Sequence, residues 1–274
     1  MAIPLEDNAS DIIGKAQRGL GISDTQLAER SGVTADKIRK LREGDFAEDA
    51  IELAAPVLGL DAGALRKLVA GKWILEAIEE IDGLAQFNTN YGDMTVNAYL
   101  VWDPTSREAV AFDTGADCGG MLRRIEQEKL SVKLILLTHA HPDHVADLRR
   151  LKKTTGAPVY LSKLEKEEGA EAVEEGKRFR IGALEIEARL TSGHSPGGMT
   201  YVVTGLARPV AIVGDSLFAG SMGGGNVSYD DAVRNNREKI LTLPEETIVC
   251  PGHGPLTSVG KEKRDNPFFA SVSR

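Results

Sequence analysis

The spacing of apolar residues changes once along the chain, near residue 72. Upstream of that point apolar residues recur at helical spacing, at Leu27, Val33, Ile38, Leu41, Ile51, Leu58 and Leu65. Residues 23–26 have the composition of a capping box that begins a helix, and residues 31–34 are typical of a tight turn into the next helix. We therefore predict a small all-α domain over residues 1–72.

From about residue 84 onward, short apolar runs of strand type alternate with helical patterns. The pattern predicts hairpin strands at residues 95–102 and 108–112, and helices at residues 121–130, 145–153 and 231–241. The acidic stretch 165–175 is predicted to be a solvated helix or loop. Strands interleaved with helices predict a layered α/β domain over residues 83–274.

The five histidines of the chain all fall in loops of this second region. His139 and His141 alternate with Ala140, so a chain leaving a strand would point both rings to the same side. Asp143 and His144 follow at once, and the change of offset aims two pairs of donors at slightly different points. The spacing predicts two adjacent metal ions and not one.

The remaining donor candidates each follow a strand-like segment. His194 comes after residues 184–190, Asp215 after residues 210–213, and His253 after residues 247–250. Strands that deliver donors from their ends would place the site at one edge of a sheet, with Asp215 bridging the metals. Imidazole and carboxylate donors suit several divalent ions; we expect zinc first, with iron or manganese as alternatives.

Four motifs together resemble the metallo-β-lactamase superfamily over residues 83–274: the stretches 138–144, 193–197, 214–215 and 251–254. The resemblance implies an αββα sandwich with a dinuclear site along one edge. It also implies that one metal is held by His139, His141 and His194, that the other is held by Asp143, His144 and His253, and that Asp215 bridges them.

Within the superfamily, the chain is most similar to short glyoxalase II-like hydrolases, through residues 214–221, 237–244 and 251–268. Broad-spectrum zinc β-lactamases usually carry cysteine at the position of Asp215. Residues 222–226, Met-Gly-Gly-Gly-Asn, stand where the glyoxalase II-like subgroup has an Arg-Thr-Asp-like stretch. The resemblance therefore implies the hydrolytic machinery and leaves glutathione open as part of the substrate.

The expected reaction is attack of a hydroxide, held by two cations, on the carbonyl carbon of a small acyl substrate. A thioester is expected first. Asp143 is the expected catalytic residue, which orients the nucleophile or transfers a proton. Three alternatives stay open: a lactonase, an iron-dependent persulfide dioxygenase, and a DNA-binding regulator that uses the metal domain as a sensor.

Residues 10–70 resemble the helix-turn-helix domain of the Cro/C1 repressor family. Lys37, Arg39, Lys40 and Arg42 could contact phosphates, but acidic residues lie close by, and DNA binding depends on neutralised phosphates. We favour a helical module that packs on the catalytic domain, covers the mouth of its active site or mediates formation of a homo-oligomer. DNA binding is the less favoured interpretation.

Composition limits the remaining choices. The 274-residue chain has a net charge of −8 and an isoelectric point near 5.3, which argues against a large nucleic-acid surface. Its two cysteines do not form a Cys-x-x-Cys pair and give no disulfide framework. No apolar run approaches the length of a membrane span, and no signal peptide is recognised. We expect a cytoplasmic protein without a membrane partner.

Overall fold

A computed structural model describes residues 3–270. Upstream of residue 72 it contains the helices α1 Ala9–Leu20, α2 Asp24–Ser31, α3 Ala35–Glu43, α4 Glu48–Val57 and α5 Ala62–Val69. The predicted capping box is confirmed, because Ser23 and Gln26 each accept a hydrogen bond from the other's backbone N–H. Among the helices of residues 3–270, none has both the length and the apolar character that a membrane span requires.

Two six-stranded sheets follow. The first has, in spatial order, β1 Leu84–Tyr91, β2 Met94–Trp102, β3 Glu108–Phe112, β4 Ser131–Leu136, β5 Val159–Ser162 and β6 Ala170–Val173. The second has β7 Arg178–Ile181, β8 Leu184–Leu190, β9 Met199–Thr204, β10 Val210–Gly214, β11 Ile248–Pro251 and β12 Thr257–Ser258. Strands β3 to β6 run parallel in the first sheet, and β10 and β11 run parallel in the second.

The two sheets stack because their strands are apolar on both faces. In β2, Tyr99 and Val101 face the second sheet, whereas Leu100 and Trp102 belong to a separate apolar cluster on the outer face. The ring of Phe112, from β3, lies 5.6 Å from that of Tyr201, from β9, which fixes the contact between the sheets. The interior between the sheets is therefore one continuous hydrophobic core.

Helices complete the outer layers. The helices α6 Gly119–Gln127, α7 Pro142–Val145 and α8 Leu148–Thr155 lie along the first sheet, where Met121 and Leu151 pack on Ala111 and Leu137. The helices α9 Tyr229–Asn235 and α10 Val259–Asp265 contribute to the layer on the second sheet. The predicted αββα sandwich preceded by a helical region is confirmed.

The N-terminal helices cover much of the outer face of the second sheet. Ile12, Leu41 and Leu58 belong to the same apolar cluster as Val213 and Val249. All five side chains are almost completely buried. The N-terminal helices and the outer face of the second sheet thus share one hydrophobic core, separate from the core between the two sheets.

Three predicted segments differ from the structure. Residues 231–241 form the end of α9 and then a π-helical turn, Asn236–Ile240. The helix predicted at residues 145–153 begins at Leu148, because Asp147 leaves helical geometry and accepts a hydrogen bond from the backbone of Cys118. The acidic stretch 165–175 contains the edge strand β6, whose Val173 is buried between the sheets.

Candidate metal centre

The seven predicted donors lie at one edge of the sandwich because each follows the end of a strand or begins the next helix. His139 and His141 follow β4, and the one-turn helix α7 then presents Asp143 and His144. The later strands supply the remaining donors: β8 leads to His194, β10 to Asp215 and β11 to His253. Parallel β10 and β11 end side by side, which brings Asp215 and His253 together.

The structure brings all seven side chains into two adjoining groups. In each group the candidate ligand atoms lie within 4.8 Å of one another: His139, His141, His194 and Asp215 in the first, and Asp143, His144 and His253 in the second. The family resemblance implies the same division of the other six donors, with Asp215 as the bridge. This arrangement suits two divalent cations at neighbouring positions.

Asp215 lies between the two groups. Its Oδ2 atom is 3.3 Å from His194 Nε2, in the first group, and 3.4 Å from His253 Nε2, in the second. Its Oδ1 atom is 3.3 Å from His144 Nε2. One carboxylate therefore faces donors of both groups.

Hydrogen bonds at Nδ1 orient four of the five imidazoles, so that each directs Nε2 into the centre. The acceptors and the N···O distances are Thr138 Oγ1 for His139 (3.0 Å), Asp113 Oδ2 for His144 (2.8 Å), the Gly224 carbonyl for His194 (3.0 Å) and the Thr95 carbonyl for His253 (2.6 Å). His141 differs, because its Nδ1 atom faces the centre at 3.1 Å from His194 Nε2.

Asp113 is a site residue that the sequence analysis did not identify. Its carboxylate accepts from Thr138 N–H and Thr138 Oγ1, each at 2.7 Å, as well as from His144 Nδ1. Through Thr138 it also supports His139. The available signal was a carboxylate directly after the second predicted hairpin strand, residues 108–112.

The carboxylates make the centre favourable for positive charge. Burial alone would raise the pKa of Asp215, but His253 and His144 hold it well below its usual range. Burial opposes protonation of His253 and His144, yet the carboxylates around them raise the pKa of His253 to about 11 and that of His144 to about 10. Cations bound at this position would meet the same negative field.

Among residues 3–270, three buried atoms of the centre have no partner in hydrogen-bonding geometry: His139 Nε2, His144 Nε2 and Asp215 Oδ1, of which the last two lie 3.3 Å apart. A buried polar atom without a partner costs free energy, and three of them converging on one place need a common partner. Imidazole nitrogen and carboxylate oxygen are ligands for divalent metals. The residues present therefore fit a metal pair.

Close packing behind the donors requires glycine at position 252. A Cβ atom there would lie 2.2 Å from Asp215 Oδ1 and 2.7 Å from His144 Cε1. These separations are far below van der Waals contact, so any side chain would displace both donors.

Two stacked sheets enclosed by helices, with histidines and carboxylates gathered at one edge, define a metal-dependent hydrolase of αββα architecture. The chain belongs to the metallo-beta-lactamase superfamily, whose family profile matches residues 91–253. The matched range includes all seven donors.

Two of the curated relatives carry hydrolase names. The probable metallo-hydrolase YqgX of Bacillus subtilis is 33% identical over 208 residues, covering 66% of this chain and 96% of the relative. The hydroxyacylglutathione hydrolase GloC of Haemophilus influenzae is 29% identical over 202 residues, covering 65% of this chain and 94% of the relative.

Solved structures show the same fold. BLEG-1, described as a B3 metallo-beta-lactamase, is 31% identical with a TM-score of 0.58, covering 67% of this chain and 99% of its own. TTHA1623, solved in a di-iron-bound form, is 30% identical with a TM-score of 0.56, covering 67% of this chain and 100% of its own. About a third of this chain lies outside each match.

Proposed function

We propose that this chain hydrolyses small acyl substrates, thioesters first, with two divalent cations held by the seven clustered side chains. The observation that carries the proposal is the convergence of the unpartnered atoms His139 Nε2, His144 Nε2 and Asp215 Oδ1. The name of the relative GloC, a hydroxyacylglutathione hydrolase, describes cleavage of a thioester and supports that substrate class.

The geometry favours one division of the ligands. His139 and His194 would bind the first cation through Nε2, and His141 through Nδ1, because those nitrogens face the centre. The second cation would take the Nε2 atoms of His144 and His253 together with Asp143, whose Oδ2 atom is 3.5 and 3.4 Å from those two nitrogens. Asp215 faces both groups and would bridge the cations.

When bound, the cation pair lowers the pKa of water toward neutrality and polarises the substrate carbonyl. The side chains of the protein supply the orientation of the attacking water. Asp143 is buried at the start of α7, and one of its oxygens is directed at His144 and His253. Its other oxygen would hold the attacking water and receive its proton, which gives Asp143 the catalytic role.

The donor set favours zinc and leaves iron or manganese as alternatives. It consists of nitrogen and oxygen atoms and contains no thiolate. Cys250 is buried in the core between the sheets and lies outside both groups. The relative TTHA1623 was solved with two iron ions, which shows that this fold accommodates iron in that protein.

We propose that the N-terminal helices pack on the catalytic domain as a structural support and do not bind DNA. Three of the four basic side chains of α3 are paired with acidic neighbours: Lys37 with Asp49, Arg39 with Asp36 and Glu43, and Lys40 with Asp36. The fourth, Arg42, donates a hydrogen bond of 2.9 Å to Gln17 of α1. Phosphate contacts would have to replace these pairs. Specific, salt-sensitive retention of genomic fragments in a mobility-shift assay would contradict this interpretation.

The decisive experiment combines elemental analysis of the purified protein with a substrate screen. The screen contains S-lactoylglutathione, other thioesters, lactones, glutathione persulfide and a cephalosporin. We expect close to two divalent ions per chain and turnover of thioesters that stops after exhaustive chelation. Oxygen consumption with the persulfide would instead support a dioxygenase, and cephalosporin cleavage would support a β-lactamase.

Replacement of Asp215 by alanine tests the bridging role. We expect Asp215→Ala to lose metal content and turnover together, because both cations lose a ligand. Asp45→Ala, in the exposed turn between α3 and α4, is the matched control and should retain both. Full metal content with full turnover in the Asp215 variant would show that Asp215 does not bridge.

A further inference from the structure

The glycine-rich stretch that follows Asp215 lies directly against the metal centre. We call residues 222–226 the glycine loop. A Cβ atom at Gly223 would lie 1.8 Å from the Asp215 carbonyl oxygen and 3.2 Å from His194 Nδ1, so the loop passes against two of the proposed ligands. The Gly224 carbonyl accepts the hydrogen bond from His194 Nδ1 that directs Nε2 into the centre. The position of the loop therefore sets the orientation of His194.

The glycine loop has few side chains of its own with which to hold that position. Residues 223–225 are three consecutive glycines, and glycine has the largest backbone freedom of any residue. Restraint must therefore come from neighbouring elements. Beyond the end of the loop, the N–H groups of Val227 and Ser228 donate to the Gly193 carbonyl. These hydrogen bonds tie the end of the loop to the segment that carries His194.

The start of the glycine loop is held by α1. Lys15 Nζ, from that helix, donates to the Met222 carbonyl at 2.9 Å. Lys15 also pairs with Asp7, which accepts a hydrogen bond of 2.6 Å from Ser221 Oγ. Its ammonium group lies 4.9 Å from the centre of the Phe218 ring. The Lys15 and Asp7 side chains are only 14% and 8% exposed, so water competes little for these contacts.

A second contact between α1 and the glycine loop involves Tyr229 of α9. A Cβ atom at Gly225 would lie 2.5 Å from Tyr229 Cα. A Cβ atom at Gly19, on α1, would lie 2.2 Å from the Tyr229 ring. The helix α1 therefore contacts the first residue of the loop and also the residue on which the end of the loop packs.

The segment that contains Asp7 also lies beside the loop that carries His253. A Cβ atom at Gly254, the neighbour of His253, would be 3.2 Å from Glu6 N and 3.6 Å from the Pro4 carbonyl oxygen. Residues 4–7 and α1 thus contact both the glycine loop and the His253 loop. The helical region is in close contact with the surroundings of the metal centre.

We propose that Lys15 is a positioning residue for the metal centre. It anchors the glycine loop, so that the Gly224 carbonyl keeps His194 Nε2 directed at the first cation. Metal binding would then depend on a residue of the helical region, outside the range 91–253 that matches the family profile. This inference rests on the cation pair assigned in the proposed function.

The physical basis is a short series of contacts from Lys15 to His194. Lys15 holds the Met222 carbonyl, and the Gly224 carbonyl, two residues further on, holds the imidazole. Without the first contact, the peptide units of Gly223 and Gly224 are free to rotate. An acceptor that holds a metal-binding imidazole typically contributes 10- to 100-fold to metal affinity. The acceptors of the other oriented imidazoles lie outside the loop, so the effect should be confined to the first cation.

The double variant Lys15→Met with Asp7→Asn removes the anchor without leaving a buried charge unpaired. Methionine keeps an unbranched apolar side chain against Phe218, but it cannot donate to the Met222 carbonyl. Asparagine can still accept from Ser221 Oγ. We call this protein the anchor variant.

A second double variant, Lys261→Met with Asp265→Asn, is the matched control. These two residues of α10 also form a buried pair, with side chains only 9% and 14% exposed. The Lys261 ammonium group also lies over an aromatic ring, 4.6 Å from the centre of Trp73. Within residues 3–270, neither side chain forms a hydrogen bond with the glycine loop. The control should therefore lose stability as the anchor variant does and keep the metal centre intact.

The measurement is a titration of the metal-free proteins with Co²⁺ alone, because the visible absorption of bound Co²⁺ depends on the geometry of its ligands. We expect the anchor variant to bind Co²⁺ about tenfold more weakly at one position and with an altered spectrum. The control should change neither the affinity nor the spectrum. Thermal midpoints of the metal-free proteins show whether the two variants lose similar stability.

The same titrations in two further backgrounds locate the effect. In His253→Ala, which impairs the second position, the anchor variant should still weaken Co²⁺ binding. In His194→Ala, the anchor has no imidazole left to orient, so its removal should change neither affinity nor spectrum. If the double variant does not fold, Asp7→Asn alone loosens Lys15 more mildly and should give the same spectral change at a smaller amplitude.

The contrary outcomes are distinct. Equal effects of the anchor variant and the control on Co²⁺ binding, or an effect that persists in His194→Ala, would overturn the positioning role of Lys15. A wild-type protein that binds Co²⁺ but cleaves no thioester would overturn the proposed acyl hydrolysis, while the dependence of the Co²⁺ spectrum on Lys15 would still support the anchor. A wild-type protein that binds no Co²⁺ would overturn both.

Discussion

At the scale of single residues, the donors of the centre could be predicted from the sequence, whereas the residues that hold them by hydrogen bonds could not. The histidine donors carry their own chemical signal, since histidine is scarce in this chain and lies in loops that follow strands or, for His144, in the one-turn helix α7. Asp113 carries no such signal. Asp113 can support the centre because β3 and β4 are neighbours, which places its carboxylate beside Thr138 and His144.

Replacement of Asp113 by asparagine should weaken metal binding by about 10- to 100-fold. An amide cannot accept from His144 Nδ1, Thr138 Oγ1 and Thr138 N–H at once, so at least one of these hydrogen bonds is lost. Competition with a chromophoric chelator measures the affinity. Asp117→Asn, at an exposed position, is the control.

The Asp113 prediction has a clear contrary outcome. Unchanged affinity in Asp113→Asn would mean that the histidines are held by the backbone and the core alone. A loss of affinity in the Asp117 variant as well would point to a general charge effect.

At the scale of elements, the apolar pattern predicted strands such as β2, β3, β8, β10 and β11, and it failed where a distant contact sets the boundary. The start of α8 depends on the hydrogen bond that Asp147 accepts from the Cys118 backbone N–H. Strand β6 forms because Val173 is buried in the core between the sheets. Neither contact is local in sequence. Packing of the N-terminal helices on the catalytic domain was one of the favoured alternatives, but local patterns do not indicate that the helices cover the second sheet.

A glycine in α1 tests how tightly that helix contacts the sandwich. A Cβ atom at Gly19 would lie 2.2 Å from the Tyr229 ring of α9. Gly19→Ala should therefore lower the free energy of unfolding by about 1 to 3 kcal/mol, despite the better helix propensity of alanine. Urea denaturation provides the measurement.

Two further variants control the Gly19 experiment. Gly63→Ala, on α5, meets only Asp61 Oδ1 at 3.2 Å and should be close to neutral. In a Tyr229→Ala background, Gly19→Ala should become stabilising, because the clash is gone. Stabilisation in the wild-type background would show that α1 and α9 are not in tight contact.

The buried carboxyl of Glu262, on α10, should make the free energy of unfolding depend on pH. Burial raises its pKa to about 7 from an ordinary 4.5, although Thr257, Asn266 and Gly220 donate hydrogen bonds to it. Between these pH values the folded protein holds more protons than the unfolded chain, so the free energy of unfolding falls as pH rises.

Glu262→Gln should remove that dependence. Glutamine can accept from Gly220 and Asn266 through one oxygen and donate to Thr257, so the contacts survive. Relative to wild type, the variant should gain stability from pH 5 to pH 8, by up to about 3 kcal/mol. A constant difference across this range, measured by urea denaturation, would refute the assignment.

At the scale of the whole molecule, the shared core predicts that the helical region and the sandwich unfold together. Ile12 of α1 is completely buried in the cluster that contains Val213 and Val249. Ile12→Ala should lower the free energy of unfolding by about 2 to 5 kcal/mol. In a Trp73→Phe background, fluorescence of Trp102 in β2 should report the same shifted transition as circular dichroism.

Leu53→Ala is the control for the shared core, because Leu53 lies on α4 but is 52% exposed. It should change stability little. A shift in circular dichroism without a shift at Trp102 would mean that the two regions unfold independently.

The position of Pro4–Asp7 beside Gly254 also bears on how the protein is handled. A polyhistidine affinity tag joined directly to Pro4 would begin beside Gly254 and bring extra imidazoles within reach of the cations at His253. Such a fusion would compete for the metal pair and obstruct substrate entry, so the untagged chain should differ from it in both metal stoichiometry and KM.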